Sequence, residues 1–130
     1  MNAVDPSPRL VTVVLSVSDL ERSAAFYVQA FGLDLHSSDH AGDDEWTRGA
    51  HAAVSWTDGA FVHFALYAAS ADRATRNAQV AFAVTDLDAA HRRAVDAGAE
   101  VLHPPRPQPW GRSARYRDPD GNVVELTNPQ

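Results

Sequence analysis

The stretch Val13-Val14-Leu15-Ser16-Val17-Ser18-Asp19-Leu20 recurs as Val80-Ala81-Phe82-Ala83-Val84-Thr85-Asp86-Leu87, at an offset of 67 residues and without a gap. Such a repeat points to a fold built twice from one supersecondary unit. Each copy is an alternating, β-branched segment, the period of a strand. Each closes on Ser/Thr-Asp-Leu, a helix start, because a hydroxyl or carboxylate can accept from N–H groups left unpaired in the first turn. Leu20, Ala24, Tyr27 and Phe31 then recur at helical spacing, and Leu87, Ala90, Ala94 and Ala97 do the same. Gly32 and Gly98 stop the two runs, each suiting a left-handed cap.

The tails of the halves match too. Asp58-Gly59 and Asp120-Gly121 read as tight hairpin turns before strands 61–67 and 123–127. Superposing these turns aligns His63 with Glu125. Residues 37–44 are polar and acidic and predict a loop. Residues 69–78 predict a linker, and 103–109, with four prolines in seven residues, predict a loop. Each half therefore reads strand, helix, three strands. The expectation is an α+β fold of two βαβββ modules forming a cupped mixed sheet with helices on its outer face. Residues 1–9 are expected to be a leader, 10–128 one domain, with module one at 10–68 and module two at 79–128.

Strand alternation divides the side chains. Val13, Leu15 and Val17 share one face, as do Val80, Phe82 and Val84, and these bulky sets should pack under the helices. The opposite faces carry Thr12, Val14 and Ser16; His63, Ala65 and Tyr67; Gln79, Ala81 and Ala83; Glu125 and Thr127. Thr12, His63, Gln79 and Glu125 thus converge on an expected concave face lined by small residues, which suits a small-molecule site.

Composition excludes several classes. There is no cysteine, so any metal would be held by His, carboxylate or amide groups. The formal charge of −6 disfavours nucleic acid, which wants a basic face. All eleven cations are arginine, removing Schiff-base lysine chemistry and fitting a GC-rich bacterial genome. No apolar run reaches the roughly 20 residues of a membrane span. A cytoplasmic protein without membrane or nucleic-acid partners is expected. Neither a Gly-x-Ser-x-Gly elbow nor a Gly-rich phosphate loop is present.

The duplicated strand–Asp-Leu–helix unit, with Ser23 and Phe26-Tyr27, and the segment Pro109-Trp110-Gly111-Arg112 through Asp118-Pro119-Asp120-Gly121-Asn122 and Glu125 resemble the vicinal-oxygen-chelate superfamily of glyoxalase, bleomycin-resistance and dioxygenase proteins. The resemblance runs over about residues 10–128. It implies a cup that holds a ligand, and a homodimer. Metal-dependent members place ligands at four strand positions; here His63, Gln79 and Glu125 occupy three, while Thr12 stands where a His or Gln belongs. A divalent ion (Zn, Ni, Mn or Fe) on His63, Gln79 and Glu125, with Glu125 as ligand or base, would make a lyase, isomerase or group-transferase. The other reading is a binding module whose cup sequesters an aromatic or antibiotic-like molecule. Its candidate contacts are Thr12, Trp46, Tyr67, Trp110 and Arg115. Trp56 is expected in the core. The remaining histidines are weaker candidates: His36, His40 and His51 by the first-half loop, His91 on an exposed helix face, His103 before prolines.

Overall fold

The computed structural model describes residues 7–40 and 49–129 of the chain. Two modules follow one another with identical connectivity. The first contains β1 (Thr12–Val17), α1 (Leu20–Phe31), β2 (His36–His40), β3 (Gly49–Trp56) and β4 (Val62–Ala68). The second contains β5 (Gln79–Ala83), α2 (Leu87–Asp96), β6 (Glu100–Gln108), β7 (Gly111–Arg117) and β8 (Val123–Pro129). The sheets run β1-β4-β3-β2 and β5-β8-β7-β6. In each, the first strand pairs in parallel with the last and the remaining pairs are antiparallel. This is an α+β fold with two mixed sheets.

The helices begin where the repeat puts them. Asp19 accepts from Arg22 N, and Asp86 from Ala89 N, each at 3.0 Å. The first helix ends on Gly32, whose φ of 72° is left-handed and lets its N–H close onto the Val28 carbonyl at 3.0 Å. The bulky strand faces do pack on the helix side. Tyr27 of α1 lies 5.6 Å from Phe64 of β4, and Phe31 lies 5.6 Å from Tyr116 of β7. Phe64 in turn meets Phe82 of β5 edge-on at 5.3 Å. One core cluster consequently runs through both modules. Burying such aromatic and aliphatic side chains contributes about 1.5–3 kcal/mol apiece.

A buried polar network crosses the same junction. The Asp118 carboxylate accepts from the Tyr27 hydroxyl at 2.7 Å, from Asp120 N at 2.9 Å, and from Asn122 N and Nδ2 at 2.8 and 3.1 Å. Asp120 reaches back to Ser18, at the end of β1, accepting from both its N–H and its hydroxyl. Asn122 accepts from Ala78 N and donates to the Thr75 carbonyl, pinning the segment between the modules.

Three expectations are corrected. Of residues 103–109, expected as a loop, 103–108 belong to β6 and only Pro109 stands in the turn after it. β6 is an edge strand paired only with β7, so N–H groups that proline lacks are not needed on its outer side. Residues 37–40, expected in a loop, belong to β2, also an edge strand; residues 41–44 lie outside the described residues. The turns are longer than two-residue hairpins: Trp56 pairs with Val62 and Arg117 with Val123.

Removing the Tyr27 hydroxyl leaves a buried carboxylate short of one donor. Tyr27→Phe is expected to lose about 1–2 kcal/mol in urea unfolding, and Asp118→Ala about 3 kcal/mol or more, since several buried donors are orphaned together. Burial and the neighbouring Asp118 carboxylate hold the Tyr27 phenol well above the ordinary tyrosine range, and burial pushes Tyr116 up to about 12. The folded state therefore keeps protons that the unfolded chain releases near pH 10. Stability should be full below about pH 10 and fall as pH rises from there through about 12. With neither lysine nor cysteine in the chain, this loss should be visible in urea midpoints and smaller in Tyr27→Phe.

Candidate functional site

An open cleft of about 780 Å³ lies between the modules. Leu10, Trp56, Val62 and Phe82 give it an apolar wall, and His63 and Gln79 stand on it as polar members. Trp56 sits on the core face as expected, half-buried against Phe82 at 6.1 Å. Two of the residues gathered by sequence thus border one cavity. Glu125, Arg115, Tyr67 and Thr12 do not line it.

The helix-free face of the first sheet is organised in rows by strand register. Thr12, His63 and Ser55 form one row; Val14, Ala65 and Ala53 the next; Ser16, Tyr67 and His51 the third. His63 is half-buried, its Nδ1 lies 2.7 Å from the Ser55 hydroxyl, and its ring lies parallel to Phe61 at 6.4 Å. Tyr67 stacks on His51 at 4.6 Å with the planes 7° apart. His63 and Tyr67 are four residues apart on β4, or about 13 Å at the rise of a strand. Small side chains lie between two aromatic pairs.

The second sheet presents charge. Its rows are Gln79, Val123, Arg117 and Glu100; then Ala81, Glu125, Arg115 and His103; then Ala83, Thr127, Ser113 and Arg106. Glu125 is buried and accepts from Arg115 Nε at 2.9 Å. Arg117 pairs with Glu100 at 3.0 Å and donates to the Gly121 carbonyl. Gln79 and Thr12, each first in its strand, are exposed. Trp110 stands at the turn between β6 and β7, 46% exposed. Trp46 and most of the loop that carries it lie outside the described residues.

The donor set does not fit a metal within one chain. His63 on β4 and Glu125 on β8 stand in different sheets, and the Glu125 carboxylate is matched to a guanidinium. Thr12 is a neutral alcohol and Gln79 a weak neutral ligand. Among the described residues, no three His, Asp or Glu side chains are grouped to hold an ion.

Sequence reading undervalued three residues. His103, set aside as preceding prolines, is brought onto the helix-free face beside Arg115, with register shifts on both sides of it. Ser113 shares that face, and the alternation Ser113, Arg115, Arg117 was the signal for it. His91, expected on an exposed helix face, is half-buried with Nδ1 2.7 Å from the Tyr116 hydroxyl. A helix-face reading fails there because α2 packs against β7.

Among the described residues, no helix is long and apolar enough to cross a membrane. A family model described as the glyoxalase/bleomycin resistance protein/dioxygenase superfamily matches residues 9–126. The chain is 29% identical over 122 residues to a probable lactoylglutathione lyase of Vibrio cholerae, covering 91% of this chain and 88% of that one. Its structure resembles TnmS3, an antibiotic binding protein from Streptomyces sp. CB03234, at a TM-score of 0.75 and 29% identity over 98% of this chain and all of that one. A glyoxalase/bleomycin resistance protein from the same Streptomyces strain matches at 0.70 and 30% identity, over 92% of this chain and all of that one. With the duplicated βαβββ unit and a family match over nearly its whole length, this chain belongs to the glyoxalase/bleomycin resistance protein/dioxygenase superfamily.

Proposed function

We propose that the protein binds and sequesters a planar aromatic, antibiotic-like small molecule, without a catalytic metal. The observation that carries this reading is the helix-free face of the first sheet. Val14, Ala65 and Ala53 separate the His63–Phe61 pair from the Tyr67–His51 pair by a length suited to fused rings. The similarity to an antibiotic binding protein supports the same class of ligand. Thr12, Trp46 and Trp110 are proposed ligand contacts, Trp46 from outside the described residues, and Arg115 is proposed to meet a polar substituent.

A homodimer completes the cup in this reading. β1 and β5 are edge strands, and Leu10, Val11 and Val14 on or beside β1 are exposed apolar residues. Pairing β1 of one protomer with β5 of a second would bring Thr12 and His63 to the partner's Gln79 and Glu125. That arrangement is also the one in which a metal-dependent lyase could assemble, and the similarity to a probable lactoylglutathione lyase favours it as the second reading.

Tryptophan fluorescence titration with bleomycin and a panel of planar polycyclic antibiotics should find a saturable ligand. His63→Ala and Tyr67→Ala should each weaken it about tenfold, the size of one aromatic stacking contact of about 1–1.5 kcal/mol. Sedimentation equilibrium should give twice the chain mass. Elemental analysis of protein purified without chelator should show no stoichiometric divalent ion. A stoichiometric ion lost in Glu125→Ala would instead establish the metal-dependent reading.

A further inference from the structure

The second sheet's helix-free face holds two polar atoms that lack a partner. Among the described residues the Oγ of Ser113 and the Nε2 of His103 find no hydrogen-bond partner, with Ser113 fully buried and His103 only 9% exposed. Each such group costs about 1–3 kcal/mol when left unmatched. Both flank Arg115: His103 lies directly opposite it across the β6–β7 ladder, and Ser113 lies two residues before it on the same strand and face. Cross-strand neighbours have Cβ atoms about 5 Å apart, and same-face neighbours along a strand are about 7 Å apart. The three side chains are therefore neighbours on one face.

The imidazole's chemistry says which atom. His103 Nδ1 lies 3.0 Å from the Pro104 carbonyl, which can only accept, so Nδ1 carries the proton. Nε2 is then a bare acceptor facing no donor. Register shifts in β6 on either side of His103 set this ring opposite Arg115, the kind of local irregularity that re-aims a side chain. Arg115 supplies the complementary half. Its Nε is held by Glu125, and it is a third exposed, leaving the outer guanidinium nitrogens as donors at the way in.

We propose that His103, Ser113 and Arg115 form a subsite for a hydroxyl on an unsaturated ring, a phenol or enol. The ligand O–H donates to His103 Nε2, and its oxygen accepts from the Arg115 guanidinium and the Ser113 hydroxyl. A carboxylate or ketone would satisfy Arg115 but leave Nε2 without a donor, and so is discriminated against. This rests on the reading of the helix-free faces as a ligand cup, and it narrows the class from planar aromatics to hydroxylated ones.

The test compares 4-chlorophenol, which keeps its proton at neutral pH, with 4-chloroanisole, which has the same ring but an oxygen that cannot donate. The full-length protein should bind the phenol at least tenfold more tightly. His103→Phe should abolish that preference, and Arg115→Leu should weaken both probes, since either oxygen can accept from the guanidinium. Nitrogen-15 spectra of the imidazole, recorded on the same protein, should show Nε2 unprotonated without probe and shifted toward the hydrogen-bonded position with the phenol. Equal affinities for both probes would overturn the subsite while leaving the aromatic cup standing. Binding of neither probe, with Nε2 unmoved, would remove both. A preference surviving in His103→Phe would overturn the assignment of the acceptor.

Discussion

The carboxylate of Asp118 is the constraint on which the arrangement rests. It sits between modules and gathers a phenol from α1, two backbone N–H groups and an amide from its own turn. A buried anion of this kind is tolerable only with its donors in place, so it fixes how α1 meets the turn between β7 and β8. Asp120 and Asn122 extend the same tie to β1 and to the segment joining the modules. The helix-bearing faces are thereby committed to a shared core. The opposite face of each sheet is left outside that core, as is the open cleft between the modules.

Those two faces differ in chemistry. The first offers stacked rings bounding small side chains, so its contribution to binding would be area and planarity. The second offers a buried Glu–Arg pair beside unmatched polar atoms, so its contribution would be orientation and discrimination. Glu125 illustrates how one side chain can serve either end. A carboxylate on a metal gives the ion one oxygen or both; here Arg115 takes one of its oxygens at 2.9 Å.

Much of the fold was legible in the chain, because local and global signals agree. The duplicated strand, the aspartate caps and the parity of Val13, Leu15 and Val17 each report a short-range rule that tertiary packing did not override. The errors came where position in the sheet outweighs composition. Four prolines argue for a loop unless the strand is an edge, and nothing local says that residues 103–108 lie at one. The polar stretch 37–40 misled for the same reason. The candidate site was legible by parity alone for His63, Tyr67, Arg115 and Glu125. His103 escaped because register shifts, not alternation, decide its face, and His91 escaped because its partner Tyr116 lies in another element.

Calorimetric titration of a planar hydroxylated polycycle into the protein, with and without EDTA, separates a metal-free cup from a metal-dependent one. An aromatic cup that works without metal should bind with the same Kd and stoichiometry in both conditions. Binding that vanishes with chelator and returns on adding Zn, Ni or Mn would contradict it.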